Sequence, residues 1–133
     1  SGASLVTRII DGDTIELATG EKVRYIGIDT PEKNQNECFH REATSKNAEL
    51  VLNQWVTLEV DVRNQDRYGR LLRYVWVNEQ LVNEILVREG YALAASYPPD
   101  IKYQARLQAA QQQAQENEVG LWRSCRFFPE SVE

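Results

Sequence analysis

The chain has 133 residues, 42% of them hydrophobic and 26% charged, with a net charge of −5 and a pI near 5.0. That suffices for one domain with a real core and leaves no room for a second. No apolar run reaches membrane-spanning length and no signal-peptide pattern opens the chain, while the acidic total argues mildly against a nucleic-acid binder. Ser1-Gly2-Ala3 reads as the remnant of a cleaved tag, and Met is absent throughout. The native start is therefore expected to have been removed, by signal-peptide processing or by design.

Residues 4–10 are rich in Leu, Val and Ile but alternate poorly. They run into Asp11-Gly12, as the first strand of a hairpin would. A short strand over 14–17 ends at Thr19-Gly20-Glu21, and a third strand is expected over 22–28. Three tightly connected strands cannot bury both faces, so closure or a covering helix is required. Residues 33–37 are polar and unpatterned and predict a mobile loop. Thr44, Ala48, Val51 and Leu52 put one apolar stripe on a helix over 41–53. Alternating Val56, Leu58 and Val60 predict a strand over 55–62, and 71–77 supplies the fifth.

A helix over 81–89 stops at Gly90, where a left-handed cap is expected. Pro98-Pro99 bars helix until Asp100, and the longest helix follows over 101–117, with Tyr103, Leu107, Ala110 and Ala114 inward. Leu121 and Trp122 dock onto the body, and Trp55 and Trp76 are also expected in the core. His40 reads as a surface or capping residue, and Asn83 is either a buried anchor or exposed. The sum is an α+β chain: a five-stranded oligonucleotide-binding (OB-fold) Greek-key barrel with three helices. Residues 5–125 form the domain, 1–4 an N-terminal extension and 126–133 a C-terminal tail.

The chemistry concentrates in Arg24-Tyr25-Ile26-Gly27-Ile28-Asp29-Thr30-Pro31-Glu32. Pro31 cannot donate to a ladder and holds Thr30 extended, so the strand stops there. Arg24, Ile26 and Ile28 share one strand parity, so Arg24 meets the Asp29–Glu32 turn only if the strand curves strongly. A second acidic turn, Asp11-Gly12-Asp13-Thr14, adds oxygen donors. Residues 1–32 carry six acids against three bases, whereas 63–73 carry four Arg against one Asp. An acidic cluster facing an arginine stretch suits a hard metal ion and a phosphate. Cys38 and Cys125 are either unrelated buried thiols or a disulfide, which the trimmed start favours and which implies an oxidising compartment.

The segments IIDGDTIEL, VRYIGIDTPE, DRYGRLLRYV, VNEILVREGYA and GLW, in this order, resemble the staphylococcal (micrococcal) nuclease family, the thermonucleases. The resemblance runs from about residue 5 to residue 122. It implies the five-stranded barrel with three helices. It also implies Ca²⁺ held by Asp13, Asp29 and the Thr30 carbonyl, with Asp11 shaping the site. Glu32 matches the catalytic glutamate, and Arg24 and Arg70 match the phosphate-binding arginines. Arg67, Tyr68 and Tyr97 stand where substrate contacts are expected.

The implied reaction is hydrolysis of DNA and RNA, preferably single-stranded, to 3′-phosphate products by a secreted or periplasmic monomer. The alternative is a non-catalytic nucleic-acid or protein-binding module on the same barrel. Three features depart from the family pattern: the acidic total, Lys33-Asn34-Gln35-Asn36 in place of a lysine-rich run, and Tyr97 as the single tyrosine before Pro99.

Overall fold

The structure, a computed structural model, describes residues 2–125; Ser1 and the expected tail 126–133 lie outside the described residues. The strands are β1 (Ser4–Asp11), β2 (Thr14–Leu17), β3 (Lys22–Tyr25), β4 (Ile28–Asp29), β5 (Trp55–Glu59), β6 (Leu71–Val77), β7 (Gln80–Leu81) and β8 (Leu93–Ala94). The helices are α1 (His40–Val51), α2 (Val82–Arg88), α3 (Gln104–Asn117) and the one-turn α4 (Leu121–Ser124). Neighbours run β3-β2-β1-β5-β6, and a parallel β3–β6 pairing closes them into a five-stranded barrel. The expected barrel is present, with three helices of seven residues or more and α4 in addition.

The poor alternation of β1 has a structural cause. Register shifts between Val6 and Arg8 and between Ile9 and Asp11 coil the strand, so its first residues pair with β5 and the rest with β2. Such irregularities sharpen local twist and let one strand serve two directions of a barrel. Val6, Ile15, Val23, Tyr25, Val56 and Val75 fill the interior, and Leu86 and Leu107 cap it from α2 and α3. Leu107, Ala110 and Ala114 face inward as expected.

Several expectations are corrected. The third strand breaks at Ile26-Gly27 and resumes as β4, because Gly27 adopts φ +83°. The fourth ends at Glu59, leaving Val60 exposed. Helix α1 buries Val51 as expected, but with Ala43 and Asn47 in place of Thr44, Ala48 and Leu52. Asn47 belongs there because it accepts from Tyr25 OH (2.6 Å) and donates to the Asp11 carbonyl (2.9 Å). Helix α3 begins at Gln104. Trp55 is 65% exposed, not core, since Val56 takes the inward parity. Trp76 is half-buried and donates to Glu59. Asn83 is the buried anchor: it accepts from Val75 N–H and donates to the Ile26 carbonyl.

The segment 33–37 is a run of turns in which Asn36 N–H donates to Lys33 O and Glu37 N–H to Glu32 O. Beyond it Cys38 is disulfide-bonded to Cys125, fastening the connection before α1 to the end of α4.

Candidate active site

The two acidic turns are brought together by hydrogen bonds. In the β1–β2 turn Asp13 N–H donates to Asp11 Oδ1 (3.0 Å), a side-chain turn that Asp readily forms. Thr30 donates both its N–H and its Oγ1–H to Asp13 Oδ2, each at 3.0 Å. Gly12 makes this possible: a Cβ there would lie 2.8 Å from Thr30 Cβ and 2.9 Å from Ala43 Cβ. Only a residue without a side chain lets the first turn press against the second and against α1.

Arg24 joins them because the chain turns at Gly27. Its Nη1 donates to the carbonyls of Tyr25 (2.7 Å) and Ile28 (2.9 Å). Its Nη2 lies 2.7 Å from Asp29 Oδ1 and 3.5 Å from Asp13 Oδ2. The curve demanded by strand parity is thus made, and the arginine itself holds it. Burial works against the guanidinium charge, but Asp13 and Asp29 outweigh it, so its pKa stands above the usual value. Burial pushes Asp11 up to about 6, and the adjacent Asp13 adds to the effect.

Pairing of β4 with β8 sets Asp29 opposite Leu93, and the chain beyond carries Tyr97, whose OH donates to Asp29 Oδ2 (2.8 Å). Burial, then the Asp29 bond, push the phenol up to about 12, so it stays a donor at neutral pH.

Arg70 arrives by barrel closure. The parallel register places Leu71 beside Val23 and Leu72 beside Arg24, so the residue preceding β6 reaches the Arg24 side. A cleft of about 260 Å³ results, walled by Arg24, Arg63, Asp66, Arg70, Tyr97 and Asp100 over Ile26 and Leu72. Asp66 accepts from Arg70 Nε (2.8 Å) and from the N–H groups of Arg70 and Tyr68. Burial alone would raise its pKa; these donors win and hold it below the usual carboxylate range.

Asp100 is likewise held low by Arg63 and by the N–H groups of Val62 and Arg63, against the effect of burial. A carboxylate with a depressed folded pKa stabilises the fold above its unfolded value, near pH 4, and that contribution fades as pH falls through the folded value. Acid titration followed by urea unfolding is therefore expected to show stability falling below about pH 4. Asp100→Asn is expected to cost about 1–2 kcal/mol at neutral pH and to flatten that acid limb; an unchanged limb would show that Asp100 contributes nothing to it.

Other named residues lie elsewhere. Glu32 is exposed at the turn exit, its N–H donating to Glu37 Oε1, and no hydrogen bond or ion pair joins its carboxylate to the acidic cluster. Arg67 and Tyr68 form the exposed tip of the 66–70 loop, with the guanidinium 5.0 Å from the ring centroid. Among the described residues no three Asp, Glu, His or Cys side chains gather as a metal-holding group. Arg63, Asp66 and Asp100 escaped individual notice in the sequence. Arg63 and Asp66 lie inside the arginine stretch singled out there, but only the fold shows Asp100 meeting it.

A cleft lined by Arg24, Arg63 and Arg70, with Arg24 joined to two acidic turns of a closed five-stranded barrel, invites comparison with known proteins. The profile of the family described as "Staphylococcal nuclease homologue" matches residues 22–124. The chain belongs to the staphylococcal nuclease family. The thermonuclease of Staphylococcus hyicus is 42% identical over 124 residues, covering 88% of this chain and 73% of that protein. The thermonuclease of Staphylococcus intermedius is 39% identical over 125 residues, covering 89% and 74%. Endonuclease YncB of Bacillus subtilis (strain 168) is 40% identical over 124 residues, covering 86% and 59%. By class this member of the staphylococcal nuclease family is a nuclease.

Proposed function

We propose that the chain is a calcium-dependent phosphodiesterase that hydrolyses single-stranded DNA and RNA to 3′-phosphate products. One observation carries the reading: Arg24 bridges Asp13 and Asp29 on the wall of a cleft that Arg70 also lines. The donor set fits a hard cation, since Asp13, Asp29 and the Thr30 carbonyl offer only oxygen. Each Asp13 oxygen already accepts hydrogen bonds, yet a carboxylate has lone pairs to spare. When bound, calcium supplies positive charge beside a phosphate oxygen and orients a water.

The chain's own residues do the rest. Arg70, held at Nε by Asp66, offers its Nη groups to a phosphate oxygen, and Arg24, whose Nη2 would exchange Asp13 and Asp29 for a phosphate oxygen, adds a second guanidinium beside it. Such donors bind more tightly as charge grows on the equatorial oxygens, which lowers the barrier. Water attacks phosphorus, the P–O5′ bond breaks, the water proton passes to Glu32 and the departing oxygen is protonated from solvent. The role falls to Glu32 because it is the exposed carboxylate at the exit of the turn that carries Asp29 and Thr30. Exposed Tyr97 on a small cleft, with exposed Tyr68 on the loop that carries Arg70, suits an unstacked strand better than a duplex. All these residues come from one chain, so a monomer suffices. The disulfide supports a secreted or periplasmic setting, and no helix of the described residues is long and apolar enough to cross a membrane.

Incubating the protein with single-stranded DNA, in Ca²⁺ or in chelator, beside Arg70→Ala, tests the reading. Degradation abolished by chelator and reduced roughly a hundredfold in Arg70→Ala is expected. Chelator-resistant degradation would remove the metal, and binding without degradation would favour a non-catalytic module.

A further inference from the structure

We propose that Arg63 is a third phosphate-binding arginine, which grips a phosphate flanking the one attacked; this rests on the nuclease reading. Arg63 and Arg70 are anchored in the same manner. Asp66 accepts from the backbone N–H of Arg70 through Oδ1 and from its Nε through Oδ2. Asp100 accepts from the backbone N–H of Arg63 through Oδ1 and from its Nε through Oδ2. Each carboxylate thereby fixes both ends of its arginine, and among the described residues the Nη groups of both make no hydrogen bond, although the Arg70 guanidinium lies over the Tyr68 ring, 5.4 Å from its centroid.

This anchoring orients the guanidinium at little further entropic cost on binding. Arg73, three positions beyond Arg70, shows the contrast: its Nη groups are spent on Asn64 and on the Leu72 carbonyl. Arg63 and Arg70 line one cleft with Arg24. The Arg63 side chain is 46% exposed, against 30% for Arg70 and 16% for Arg24. The three therefore grade from the enclosed Asp13–Asp29 cluster out to the rim. A single phosphate satisfied by the inner pair leaves the outermost arginine for the next phosphate along a strand. Asp100 N–H donates to the Tyr97 carbonyl (2.9 Å), so the anchor of Arg63 and the partner of Asp29 share one turn of chain.

The test compares Arg63→Gln, which retains a donor for Asp100, with the intact chain on two substrates. One is a dinucleotide with a single phosphodiester, the other a short single-stranded oligonucleotide, both in Ca²⁺. Expected for Arg63→Gln is a KM for the oligonucleotide raised roughly five- to tenfold, with kcat and all dinucleotide constants unchanged. The slope of log KM against log salt is expected to fall by about 0.7, the loss of one phosphate contact to a single strand. Arg63→Lys recovers the salt slope, because the charge returns.

An unchanged oligonucleotide KM and salt slope would overturn the assignment of Arg63 while leaving the nuclease reading intact. Equal losses on both substrates would also overturn it, placing Arg63 at the reacting phosphate or in support of the fold. A wild-type chain that cleaves neither substrate would overturn both readings together.

Discussion

Replacing Arg24 with Ala is expected to lower kcat on single-stranded DNA by roughly a hundred- to a thousandfold, the effect of deleting one fixed donor from a developing oxyanion. Arg24 is the most constrained of the cleft arginines. Four acceptors, the Tyr25 and Ile28 carbonyls and the carboxylates of Asp13 and Asp29, hold its two Nη groups. Its loss also leaves those carbonyls without a donor, so about 2–3 kcal/mol of stability should go with it. Activity and fold are separated by Arg24→Lys. The ammonium keeps the charge between Asp13 and Asp29 but cannot reproduce the fork. Stability should largely return while kcat stays low.

Calcium affinity supplies the decisive readout, measured by calorimetry on both variants. Removing a cation within 3.5 Å of two carboxylates makes them better metal ligands. Arg24→Ala should thus bind Ca²⁺ more tightly while cleaving less. Weaker Ca²⁺ binding in the variant would mean that Asp13 and Asp29 do not hold the ion.

Breaking the Cys38–Cys125 bridge is expected to cost about 4–5 kcal/mol on the chain-entropy account, since it closes a loop of 87 residues. That is a large share of the roughly 5–15 kcal/mol available to a domain, and the melting temperature should drop by about 10–20 °C. The double variant Cys38→Ser, Cys125→Ser and the wild type in reductant should show the same loss, and reductant should do nothing more to the double variant. The bridge also ties the 33–37 turns, directly after Glu32, to α4. Cleavage measured well below the melting temperature should be affected less than stability, because Asp13, Arg24 and Asp29 are held by bonds of their own. Equal melting curves with and without reductant would show that the bridge contributes no stability.

Much of the architecture is legible from residue order. The Asp11-Gly12 turn, the strand over 14–17, the left-handed Gly90 that follows α2 and the inward Leu107, Ala110 and Ala114 all follow from local chemistry and period. The misses share one physical origin, because periodicity cannot see a neighbour remote in sequence. Trp55 is apolar yet exposed, since Val56 took the inward face. Asn47 is polar yet buried, since Tyr25 and the Asp11 carbonyl satisfy it. The break after Tyr25 was visible only as a parity conflict, which Gly27 resolves.

At the site the same division holds. Residue types and spacing marked the Asp11–Thr14 and Arg24–Glu32 stretches as two acidic turns that can face one point if the strand curves, although each residue taken singly is more often an ordinary turn or edge charge. They also marked an arginine stretch without saying which of its members would count. The family resemblance pointed to Arg70, and closure of the barrel supplies its neighbours. The parallel pairing of β3 with β6 sets Arg70 beside Arg24, and the return of the chain through Tyr97 and Asp100 singles out Arg63. Local sequence governs what each turn can chelate or donate, whereas pairing between distant strands governs which side chains share a cleft, and that pairing is a property of the whole packed barrel.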